Sequence, residues 1–212
     1  CCSYIQLTGQ HRNIGPLISV QHIPGGIVGR TATAQIDIRA YNSHVIRVRV
    51  TQDKTFRNFS YALVSNELPA FKDITVTRTR GVITLSTAAL KVLIEEKPAF
   101  RVTFTTLQGT VLNEDVPGEG FGTVFNGNRV TVYKQLQEGE RFTGLGEALG
   151  NLDRRGTGIT LNNTDTYKYG DPRLAMYSSI PFFTGIHHQQ VYGMFFNNSF
   201  PAFFNFGLST RF

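Results

Sequence analysis

The side chains with the most chemistry to offer are carboxylates: Glu95-Glu96, Glu114-Asp115, Glu138, Glu140, Glu147, Asp153, Asp165 and Asp171. Two carboxyl groups about 5 to 5.5 Å apart, one a nucleophile and one a general acid, can break an acetal bond between them. Spacing along the chain sets no two of these at that separation. Glu95-Glu96 and Glu114-Asp115 fall at strand ends or in a loop and read as solvated charges. Asp165 stands between Thr164 and Thr166 in a glycine-bounded loop, where an Asp commonly caps a turn through its own backbone. His187-His188 is the one histidine pair. Neighbours on a strand point to opposite faces and cannot share a metal, so the pair is expected in a hairpin between Phe183 and Val191. Gly118 to Gly122 (GEGFG) and Gly144-Leu145-Gly146 look like phosphate-cradling turns, but neither opens a helix after a parallel strand; both read as turn glycines. No Gly-x-Ser-x-Gly elbow and no Cys and His pairing offers a nucleophile.

These side chains need a scaffold, and the scaffold has period two. Gln35 to Tyr41 alternates Ile36 and Ile38 with Asp37 and Arg39, and Val45 to Thr51 alternates Ile46, Val48 and Val50 with Arg47 and Arg49. Such alternation makes half-buried strands. The same pattern predicts strands over Phe59–Val64, Ile74–Arg78, Val82–Ser86, Leu90–Ile94 and Phe100–Thr106, then a Gln108-Gly109 hairpin turn before Thr110–Leu112. No segment carries a helical period. Short strands separated by Gly, Asn and Pro predict an all-β antiparallel sandwich. Asn113–Arg129 and Leu149–Arg173 break the pattern and are expected to be loops; loops of such length are usually functional or disordered, and Tyr167 and Tyr169 favour an ordered second one.

The doublets Phe182-Phe183, Phe195-Phe196 and Phe203-Phe204 place rings on both faces of their strands. Both faces are therefore expected to be covered, one by a partner sheet and the other by a further layer or a domain outside this chain.

Composition sets the outer bounds. A chain of 212 residues, 41% hydrophobic and 17% charged, has globular values, and no apolar run approaches the roughly 20 residues of a membrane crossing. The net charge is +6. The first hundred residues hold 12 basic and 6 acidic side chains and the remainder 9 and 9, so the whole excess lies in the first half. It is scattered singly at Arg30, Arg39, Arg47, Arg49, Lys54 and Arg57, without a run or a helix stripe to track phosphates. These are expected to be outward-facing strand arginines, and no nucleic-acid partner is expected. The two cysteines, Cys1 and Cys2, are adjacent, which excludes a disulfide framework or a structural zinc set. Cys1 at the start fits either a lipid-anchored, exported protein or the edge of a longer polypeptide.

Four blocks give the chain its family likeness: RFTGLGEALGNLDRRG from Arg141, LNNTDTYKYG from Leu161, MYSSIPFF from Met176 and VYGMFFNNS from Val191. In order and rough spacing they resemble the N-terminal, non-barrel domain of glycoside hydrolase family 31, the retaining α-glucosidases and α-xylosidases. The likeness is strong from Arg141 to Gly207 and weaker from about Gly29 to Asp115. It implies a galactose-mutarotase-like supersandwich over residues 29–212, a lead-in over 1–28, and a substrate loop at about 149–173. In that family the loop brings an Asp to the substrate pocket of a catalytic (β/α)8 barrel; the matching residues here are Asp165, Thr166 and Tyr167, with Asn163 beside them. A carboxylate accepting sugar hydroxyls, flanked by neutral donors and acceptors, suits an α-glucoside or α-xyloside oligosaccharide.

The resemblance further implies that Glu147 packs and hydrogen-bonds, and that Arg154 and Arg155 brace the loop through Asp153 or Asp171. The family commonly has Trp where this chain has Asn162. The family's Trp-x-Asp-Met-Asn-Glu nucleophile segment does not occur, and the chain has no Trp. No catalytic residue, cofactor or metal is therefore expected in this chain, whose partner would be the barrel of the same protein. A freestanding carbohydrate-binding module and a mutarotase-like epimerase stand as alternatives. The second needs a Glu base and His acids in one cleft, and His22, His44 and His187 have no evident Glu partner in the sequence.

Overall fold

The computed structural model describes residues 13–65, 71–117, 123–126, 129–165 and 175–208. Among them every regular element is a strand, and every pairing is antiparallel. The chain divides into two compact units, residues 1–57 with 68–135, and residues 58–67 with 136–212.

The first unit opens with a four-stranded sheet of β1 (Ser19–Ile23), β2 (Gly26–Arg30), β3 (Gln35–Ala40) and β4 (Ile46–Thr51). A five-stranded meander follows: β5 (Thr75–Thr79), β6 (Val82–Ser86), β7 (Leu90–Glu95), β8 (Arg101–Thr106) and β9 (Val111–Glu114). A hairpin of β10 (Thr123–Asn126) and β11 (Arg129–Val132) completes it. Ile27, Ile36 and Ile38 of the first sheet and Ile83, Leu85, Val92 and Ile94 of the second share one sealed core. Each such side chain contributes about 1.5 to 3 kcal/mol by leaving water. This is the sandwich that alternation predicts. The hairpin turn before β9 also forms, with Gly109 at φ +94° and its amide bonded to the Thr106 carbonyl.

Three expectations about this unit change. β1 and most of β2 lie within residues 1–28, so the expected lead-in supplies an edge strand and part of its neighbour to the first sheet. The expected Asn113–Arg129 loop holds the end of β9 and all of β10, whose Val124 is buried; the GEGFG glycines lie outside the described residues. The acidic pairs are not simply solvated: Glu96 is buried and takes Arg78 at 3.0 and 2.6 Å. Asp115 is also buried, taking the Val102 amide at 2.9 Å and Lys134 at 2.7 Å. Arg78 comes from β5 of the meander, while Lys134 follows β11 and is bridged to Asp115.

The second unit contains a three-stranded sheet, β12 (Arg141–Ala148), β14 (Ala175–His187) and β15 (Gln190–Phe195), and a pair of β13 (Gly158–Leu161) with β16 (Ala202–Asn205). Its core is aromatic: Phe142 stacks on Phe206 at 4.5 Å, and Phe183 meets Phe206 edge-on at 5.2 Å. Gly144-Leu145-Gly146 is not a turn. It is a bulged part of β12, with φ of +125°, +72° and +81° and register shifts on either side of Gly146. A side chain at Gly146 would run into the Ser178 carbonyl, so the close strand crossing needs glycine. Phe59–Val64 forms no strand; Ser60 accepts the Ala62 amide and bends the chain there. The expected hairpin at the histidines does form, with His188 and Gln189 both at positive φ between β14 and β15. Each Phe doublet puts one ring inward, whereas Phe182 (41% exposed), Phe195 (43%) and Phe203 (60%) face out. Among the described residues the expected second cover leaves these three rings partly exposed.

Candidate functional site

β13 delivers the chain to the candidate site. Its pairing with β16 runs from Gly158 opposite Asn205 to Leu161 opposite Ala202, so Asn162 and Asn163 emerge beside the Ser199-Phe200-Pro201 turn. The Thr164 amide then bonds to the Met176 carbonyl at 3.0 Å, holding the loop against β14. Asp165 follows and is exposed. Thr166 and Tyr167, expected beside it, lie outside the described residues, as does Asp171. Next to the loop is a surface cavity of about 300 Å³ lined by Asn162, Asn163, Ser179, Asn198 and Phe200 among others. Its wall carries side-chain amides and hydroxyls, and the Ser179 hydroxyl oxygen is buried without a protein partner. Asn198 is held by its own turn, donating to the Phe200 carbonyl and accepting the Phe200 amide, both at 3.1 Å. Neutral donors and acceptors beside a free carboxylate can bind a polyhydroxylated ligand.

At the base of the loop the two arginines hold main-chain carbonyls, while the expected Asp171 pairing lies outside the described residues. Arg154 donates to the carbonyls of Leu149 at 2.8 Å and Ala148 at 2.9 Å, and Arg155 reaches those of Gln137 and Glu140 at 3.3 Å. Neither guanidinium needs Asp153. That carboxylate instead accepts the Arg155 amide at 3.0 Å and the Phe142 amide at 3.2 Å. The Arg155 amide is the main cause that holds its pKa below the ordinary value, with the Phe142 amide and Arg141 adding to it against the opposing effect of burial. Glu147 is exposed on β12 and does not pack. The expected 149–173 loop thus contains a strand, β13, because Ile159 and Leu161 fill the aromatic core.

Sequence reasoning missed one polar cluster in this unit. Glu140 and His187 are both buried; His187 Nε2 lies 3.7 Å from Glu140 Oε1, and the Tyr192 hydroxyl donates to the same oxygen at 2.8 Å. His187 therefore does have a Glu neighbour, 47 residues away in sequence, visible only once β12, β14 and β15 are placed side by side. The pair is sealed in the unit's interior and offers no open cleft for epimerase chemistry. The other missed cluster is in the first unit, where Asp37 gathers Arg39, Arg47 and Arg49. The sequence did contain that signal: Asp37 and Arg39 alternate on one strand, as Arg47 and Arg49 do on the next. Among the described residues no group of three or more His, Cys, Asp or Glu side chains is placed to hold a metal.

Comparison with known proteins bears on the fold. The family described as the glycosyl hydrolase 31 N-terminal galactose mutarotase-like domain matches residues 35–205. Alpha-glucosidase 2 of Bacillus thermoamyloliquefaciens is 29% identical over 203 residues, 94% of this chain and 25% of the relative. An alpha-glucosidase of Saccharolobus solfataricus is 35% identical over 121 residues, 56% of this chain and 17% of the relative. A GH31 dextranase of Flavobacterium johnsoniae, solved in complex with glucose, superposes with a TM-score of 0.81 at 26% identity, covering 93% of this chain and 24% of the enzyme. The chain spans about a quarter of the length of the first of these relatives.

Proposed function

This chain belongs to the glycosyl hydrolase 31 N-terminal galactose-mutarotase-like domain family, and from that premise we propose that it serves a retaining α-glycosidase of α-glucosidase type. In this reading residues 29–212 pack on a catalytic (β/α)8 barrel carried by the same protein. The loop after β13 reaches into the substrate pocket, where Asp165, Thr166 and Tyr167 bind an α-glucoside or α-xyloside oligosaccharide. The nucleophile and the general acid belong to the barrel.

One observation carries the reading. Asp165 is exposed four residues past the end of β13, a strand held by its pairing with β16 and preceded by the Arg154 contacts. A turn-capping Asp would spend its oxygens on its own backbone; none of the hydrogen bonds among the described residues uses the Asp165 carboxylate. The outward rings of Phe182, Phe195 and Phe203 support the docking, since exposed aromatic rings of this number on one unit mark a surface made to be covered.

The test compares the 212-residue chain alone with the polypeptide that carries chain and barrel together, using a chromogenic α-glucoside and an α-xyloside. The joined protein hydrolyses one or both, and the chain alone hydrolyses neither. Turnover by the chain alone, or an inactive joined protein with an intact fold, would overturn the proposal.

A further inference from the structure

On the outer face of the first sheet Asp37, 1% exposed, stands among three guanidinium groups. Its Oδ1 takes Arg39 Nε at 2.9 Å and its Oδ2 takes an Arg49 Nη at 2.6 Å. The carboxylate is thereby engaged on both oxygens. Arg47 is left at 3.9 Å from Oδ2, beyond hydrogen-bonding distance. Its side chain is only 23% exposed, and its Nε is buried without an acceptor. The group lies over the Tyr41 ring at 4.9 Å, a contact that steadies a cation but accepts none of its in-plane hydrogens. Burial, followed by the neighbouring charge of Arg49, holds its pKa below the usual arginine range.

Three fixed cations against one carboxylate leave two positive charges on this face. Arg47 combines partial desolvation, like-charge crowding and an unused planar fork of donors. A neutral sugar would satisfy donors without offsetting the charge; an oxyanion does both, and the guanidinium fork matches its geometry. The geometry points to a binding site for a small oxyanion, a carboxylate or a phosphate, held by Arg47 over Tyr41 with Arg39 and Arg49 alongside. The site belongs to the first unit and is independent of the proposed sugar loop.

The experiment follows the arginine Nε–H signals of the 212-residue chain by NMR while sodium phosphate or sodium acetate is added at constant ionic strength. The Arg47 signal shifts and saturates, and the anion that saturates at the lower concentration identifies the chemical group. In Arg47→Gln, the Arg39 signal reports a midpoint at least about tenfold higher, the loss of a charge-assisted fork. Shifts that follow ionic strength alone in the wild-type chain would overturn the site, whether or not the variant folds. So would a folded Arg47→Gln chain that saturates like the wild type.

Discussion

Tyr192 on β15 donates its hydroxyl to Glu140 Oε1 at 2.8 Å, and the other oxygen of that buried carboxylate accepts the Gln137 amide at 2.9 Å. One side chain just ahead of β12 therefore ties down both its own turn and a strand two positions across the sheet. Glu140→Ala removes the acceptor and leaves buried donors behind. The expected loss is about 2 to 4 kcal/mol of unfolding free energy, measured by urea denaturation. Tyr192→Phe keeps the ring against Phe183 and costs about 1 kcal/mol.

The bulge in β12 makes a contrast between two glycines. Gly139 and Gly146 both have positive φ, but a Cβ at Gly139 meets open space while one at Gly146 meets the Ser178 carbonyl and the Ile180 amide. Gly139→Ala should cost only the left-handed backbone penalty, about 1 to 2 kcal/mol. Gly146→Ala adds a backbone clash and should lower the thermal midpoint clearly more. Equal shifts would mean that β12 does not bulge against β14 as described.

Asp153 gives a pH dependence with a definite sign. Its folded pKa lies below the ordinary value because the amides of Arg155 and Phe142 favour the ionised form. Its contribution is therefore complete above the unfolded-state pKa of about 4 and is lost as pH falls through the lower, folded value. Urea midpoints recorded from pH 6 to pH 2.5 should fall more steeply for the wild type than for Asp153→Asn. The difference is small, because solvent screens this part-exposed carboxylate.

Asp37 is buried with its arginines, so removing it should be more damaging than removing any one of them. Asp37→Ala leaves three cations unmatched and is expected to cost about 3 to 5 kcal/mol by denaturant titration. Arg39→Ala, on the more exposed partner, should cost well under half of that.

The fold was largely legible because its strands announce themselves by alternation. Ile36 and Ile38 enter the core as alternation predicts, whereas Asp37 between them is buried as well, covered by the arginines it holds. The same rule misled at Phe59–Val64, where apolar residues recur but form no strand, and Phe59 and Tyr61 meet edge-to-face instead. Gly144 and Gly146 were legible as special but not as a bulge, since turn and bulge ask for the same backbone freedom. The loop base could not be read from charge: Arg154 chose carbonyls over Asp153, a preference set by where β12 ends. Buried pairs such as Glu140 with His187 depend on strand order, which no local pattern encodes. The family likeness, resting on the blocks from Arg141 onward, supplied the proposed role of Asp165, which local pattern alone would have read as a turn cap.

The central claim is that Asp165 works on substrate rather than on its own loop, and steady-state kinetics on the joined protein test it most directly. Asp165→Ala should lower kcat/KM for an α-glucoside or α-xyloside by roughly tenfold or more, the loss of charge-assisted hydrogen bonds to the sugar, with an unchanged thermal midpoint. Wild-type kcat/KM in that variant would contradict the account.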